Sequence, residues 1–116
     1  MKAKKVRVEP FGFPLYIATS DESWEMLDLD REALAGAVLT HRGKMYVALP
    51  EAYEEDTVWH EAHHVARMLN GAHGVATDPE EHEADCYLQE HVVRLIRTVY
   101  KPKMNKIKMV KYDKLY

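Results

Sequence analysis

The chain has 116 residues, 47% of them apolar and 30% charged, which gives room for one hydrophobic core and not for two. No apolar run is long enough to span a bilayer, no signal-peptide pattern opens the chain, and the single cysteine, Cys86, excludes an internal disulfide; a cytoplasmic protein is expected. The net charge of −3 divides unevenly: +4 over residues 1–8, −12 over residues 9–100 and +5 over residues 101–116. Basic ends could meet an anionic partner or fold back on the acidic body, but that body disfavours nucleic acid as a partner.

In chain order, "KVRVE" alternates as a half-buried strand does, and "FPLYIAT" reads as a second strand after the break at "PFGFP". "SDESWEML" starts a helix, with Ser20 as cap and acids in its first turn. "GAVLT-HRG-KMYVAL" predicts a hairpin with Gly43 at a positive-φ position, ended by Pro50. A helix follows from about Asp56 to Leu69, capped by Asp56 or Thr57 and stopped at Asn70-Gly71. A second long helix is expected from Asp78-Pro79 to about Tyr100, with a tail after Pro102 that alternates weakly. This order predicts a single α+β domain, its helices packed on a small sheet.

The chemistry concentrates in "WHEAHH". At 100° per residue, Val58, Ala62, Val65, Met68 and Leu69 share one apolar arc, and His60 and His64 lie together beside it, one turn apart. Imidazoles at i and i+4 can direct nitrogens to one point at the roughly 2.0–2.1 Å that zinc requires. Glu61 lies on the same side, within reach of a water at that point. The pattern is H-E-x-x-H, with His60 and His64 as metal ligands and Glu61 as general base. Taken alone it also describes a helix with a histidine-rich surface.

A zinc site needs a third protein ligand, and the second long helix offers one. Glu81 and Asp85 fall on its apolar stripe with Ala84, Leu88, Val92, Leu95, Ile96 and Val99, whereas Glu83, Glu90, Arg94 and Arg97 face the other way. Buried carboxylates need partners: a metal would serve for Glu81 and a histidine N–H for Asp85. Glu81 also stands where a capping-box glutamate belongs, three residues after Asp78, so a helix cap explains it equally. The metzincin pattern is excluded, because Arg67 and Asn70 occupy the places of its glycine and histidine. His73 and His82 read as surface residues, and His63 as facing solvent or standing behind a metal ligand.

"HEAHH" followed by "EHEAD" resembles the gluzincin metallopeptidases, and in scale the small ImmA/IrrE-like peptidases, the minigluzincins and short zincin-like proteins of phages. The resemblance covers residues 44–98. It implies a small zincin-like domain, a short, mostly antiparallel sheet packed against an active-site helix and a glutamate-bearing helix. It further implies a Zn²⁺ cofactor, Glu81 as third ligand, Asp85 behind a ligand histidine, and a peptide or protein substrate bound along the edge of strand 44–49. His63 departs from the glycine usual in ImmA/IrrE proteins, and no helix-turn-helix region is present. Tyr46, Tyr112 and His91 are candidate oxyanion donors. The alternative is a zinc-binding but latent protein, its cleft blocked by its own C-terminal tail, as the minigluzincin resemblance also allows.

Overall fold

Strands form where apolar residues alternate or run between turn residues, and in the computed structural model, which describes residues 3–74 and 83–102, four segments do so. β1 (Lys4–Val8) pairs antiparallel with β2 (Phe13–Ala18) across the Pro10–Gly12 turn, where Gly12 takes φ +62. Ser20 then caps α1 (Asp21–Met26), its hydroxyl accepting from the Ser23 N–H at 3.1 Å. β3 (Ala37–His41) and β4 (Lys44–Ala48) form the expected hairpin. Arg42 at φ 51 and Gly43 at φ 78 make its two-residue turn, with both central residues left-handed as a type I′ turn requires.

The sheet order is β1-β2-β4-β3, and the β2–β4 pairing is parallel because α1 and β3 are traversed between them. The sheet is therefore mixed, with two antiparallel pairings and one parallel, in an α+β domain. Trp24 of α1 fixes the crossover: its indole N–H lies 3.1 Å from the Ala18 carbonyl and 3.0 Å from that of Leu49, tying the ends of β2 and β4 together.

α2 (Glu55–Ala72) and α3 (Glu83–Val99) pack against one another on one face of the sheet. Val8, Leu15, Ile17, Val47 and Leu49 meet Val58, Val65, Leu69, Leu88, Val92 and Ile96 in the main core. The alternate strand positions, Tyr16, Ala18, Leu39 and Tyr46, face the other way into a smaller cluster with Met26 and Leu27.

Two boundaries differ from expectation. α2 begins after Glu54, not at Asp56 or Thr57, and no side chain of its own turn caps it. Instead the Tyr100 hydroxyl, at the end of α3, accepts from the Glu54 N–H at 3.0 Å and donates to the Ala52 carbonyl at 2.8 Å. α2 also continues past Asn70-Gly71 to Ala72, because the Asn70 side chain turns inward and bonds across to α3. Gly74, at φ +73, is the left-handed residue that follows the helix end. The expected start of the second helix at Asp78-Pro79 and the tail from residue 103 lie outside the described residues.

Candidate metal centre

Helical spacing alone places the first pair of candidate ligands. On α2, Val58, Ala62, Val65, Ala66 and Leu69 are buried, which orients the helix on the sheet and leaves His60 and His64 exposed beside that arc. Their Nε2 atoms lie 3.3 Å apart, with the rings at 78° to one another. Two nitrogens at about 2.0–2.1 Å from one tetrahedral ion would be roughly 3.3–3.4 Å apart, so this pair already has the separation zinc requires. Without an ion, the same distance admits one N–H···N hydrogen bond between neutral rings.

Glu61 completes the group. One ligand atom from each of His60, Glu61 and His64 lies within 4.8 Å of the others. Glu61 is only 5% exposed, and desolvation on burial pushes its carboxyl pKa upward, against the opposing pull of the two nearby imidazoles. A carboxyl so placed is a stronger base than an ordinary surface glutamate, which suits it to proton transfer. Two adjoining cavities of about 320–360 Å³ share Gly36, His60 and Glu61 as lining. Asp56 and Thr57 wall one of them, and Val38, His64 and Met68 the other.

Gly36 and Met68 are the parts of this site not expected from sequence. Met68 lies 42% exposed against the cleft, although its phase on the helix had placed it with the core residues. Gly36, just before β3, approaches α2 so closely that a Cβ built on it would lie 3.1 Å from Glu61 Oε2 and 2.8 Å from Thr57 Cγ2.

Glu81 lies outside the described residues. Asp85 is buried on α3 as its phase predicts, and its partners among the described residues are Asn70 and Arg67 in place of the expected histidine. One carboxylate oxygen accepts from Asn70 Nδ2 at 2.6 Å, and the other stands 3.5 Å from Arg67 Nε. Both partners project from the last turns of α2, so Asp85 ties the two helices together.

The strand proposed to bind an extended substrate must also be reassigned. β4 is paired on both sides, with β2 and β3, and has no free edge; the outer strand beside α2 is β3. Two oxyanion candidates are removed by their positions. Tyr46 is buried on the opposite face of the sheet, its ring tilted against Tyr16 at 5.3 Å. His91 Nε2 accepts from the Glu9 N–H at 3.1 Å and lines a separate apolar cavity beside Pro10, Phe11 and Tyr87. Tyr112 is outside the described residues. Of the remaining histidines, His63 is exposed and His73 stacks on Phe11 at 4.0 Å between ring centres, while Cys86 is exposed on α3.

Among the described residues, no helix is long and apolar enough to cross a membrane. Compared with protein-family models, with curated proteins and with solved structures, the chain matches none.

Proposed function

We propose that the protein is a zinc-dependent metallopeptidase of gluzincin type. The observation that carries this is the pairing of His60 and His64 at 3.3 Å beside a buried Glu61, all bordering one cleft. Two imidazoles in this geometry fit Zn²⁺ by donor type and by separation. Glu81 is the proposed third protein ligand, as the resemblance to E-x-x-x-D implies.

Bound there, Zn²⁺ would supply Lewis acidity toward a water molecule and toward the carbonyl of a peptide bond. The remaining chemistry belongs to the chain. His60 and His64 must be neutral to serve as ligands, each offering a ring nitrogen lone pair. Glu61 takes a proton from the attacking water on its carboxylate and returns it to the departing amine, so that one carboxyl serves both halves of the hydrolysis. The open sides of the cleft, past Asp56 in one direction and Val38 and Met68 in the other, give a peptide two exits from the reacting centre.

The competing proposal keeps the zinc and removes the turnover, with the basic segment 101–116 occupying the cleft. A mixed peptide pool incubated with zinc-loaded protein, full length and shortened at residue 102, separates the two. Cleavage by the full-length chain, lost in Glu61→Gln, supports the peptidase. Cleavage only after shortening supports the latent form. No cleavage by either, with zinc bound, contradicts hydrolysis of peptides.

A further inference from the structure

We propose that Gly36 is a positioning residue of this centre: its missing side chain lets the chain entering β3 close on α2 and hold the Glu61 carboxylate in place. This rests on the assignment of His60, Glu61 and His64 given above. Glycine is usually demanded by backbone conformation, but the φ of Gly36 lies outside the left-handed region, so any residue could adopt it. What demands glycine here is room. A Cβ at this position would meet Thr57 Cγ2 at 2.8 Å, the Ala48 carbonyl oxygen at 3.0 Å and Glu61 Oε2 at 3.1 Å.

These three neighbours differ in how easily they can give way. The Ala48 carbonyl is backbone at the end of β4, held in the sheet from both sides. Thr57 is β-branched and on a helix, where its χ1 rotamers are few. The Glu61 carboxylate is the far end of a flexible side chain, and the cavities that Gly36 borders offer it space to swing into. Thr57 and Glu61 are one turn apart on α2, so Gly36 sits in the notch between them. A methyl group there would press on Thr57 and on the carboxylate together. The 3.1 Å contact asks the carboxylate to move by a few tenths of an ångström; since a misplacement of about 1 Å can cost on the order of 10²-fold in rate, a loss of about tenfold is expected even when every ligand remains.

The test compares wild type, Gly36→Ala, Thr57→Ser and the double variant Gly36→Ala/Thr57→Ser in the full-length chain. Three quantities are read: zinc stoichiometry, the affinity of the zinc-loaded protein for acetohydroxamate, and kcat and KM on a cleaved peptide. Acetohydroxamate chelates the metal and gives its proton to a neighbouring carboxylate, so it reports the position of Glu61 without turnover. Gly36→Ala is expected to keep one zinc, to lose about tenfold in kcat at little change in KM, and to bind acetohydroxamate several-fold more weakly. Thr57→Ser alone is the reference against which the double variant is read. The double variant, in which the nearest contact is gone, should fold as wild type does and recover part of the loss, because the added methyl can then move toward residue 57. Wild-type kcat and acetohydroxamate affinity in zinc-loaded Gly36→Ala overturn the proposal, as does a double variant no better than Gly36→Ala. If Gly36→Ala does not fold, the double variant decides: unaltered acetohydroxamate affinity overturns the proposal, and weakened affinity supports it. Failure of the wild-type protein to take up zinc at His60 and His64 refutes the underlying site instead, and is seen before any variant is made.

Discussion

Glu61 and Asp85 are the buried carboxylates among the described residues, and their surroundings assign them different work. Asp85 is held by Asn70 and Arg67, a satisfied pair of contacts between helices. Replacing it with alanine leaves the Asn70 amide buried without its acceptor and should cost about 1–3 kcal/mol of stability. Urea denaturation checks this, and an Asn70→Ala/Asp85→Ala cycle should show that the two losses are not additive. Any effect of Asp85 on zinc would then arrive through the helix pairing. Glu61 instead has a pKa raised by desolvation. A carboxyl whose pKa is higher in the folded state binds its proton more tightly there than in the unfolded chain. Its stabilising contribution is complete below the ordinary carboxylate range and is lost as pH rises through the raised value. In metal-free protein, Glu61→Gln should therefore resist urea better than wild type at neutral pH, with the advantage shrinking as pH falls to about 4. An advantage that grew toward acid would show that Glu61 is not desolvated.

At the scale of elements, α2 is secured at both ends by α3. Tyr100 caps its first turn, and the Glu55 carboxylate gathers Tyr53, Trp59 and Arg97 beside it, while Asp85 secures Arg67 and Asn70 at the other end. The two histidines lie between these clamps. Tyr100→Phe keeps the packing but removes the hydroxyl, leaving the Glu54 N–H and Ala52 carbonyl without it. A loss of about 1–3 kcal/mol in urea denaturation is expected. No measurable loss would mean that water serves both groups equally well. The hairpin and the first helix were readable because their signals are local: Gly43 permits the turn, and Ser20 caps within one turn. The cap on α2 was not readable, since its hydroxyl comes from a residue 46 positions further along the chain. The interior place of β4 was equally hidden, because strand order depends on the path of the crossover past β3 and not on any pattern within "KMYVA".

Across the whole molecule, the sheet supplies a platform, α2 lies on it with its apolar arc inward, and the candidate metal-binding group lines a cavity between β3 and α2. His60, Glu61 and His64 could be recognised from five consecutive residues because a single helix sets their geometry. Gly36 could not, since its meaning lies in its approach to Thr57 and Glu61 on another element. Met68 was assigned to the core by periodicity, yet the core of α2 extends on its other side to Ala66, which is fully buried. The claim on which everything else depends is that His60 and His64 bind one metal ion together. Zinc titration by calorimetry of the chelator-stripped full-length protein, alongside His60→Ala and His64→Ala, tests it most directly. The account predicts about one equivalent per chain for wild type and loss of that binding in each variant. Full zinc retention in either alanine variant, or no binding by folded wild type, would contradict it.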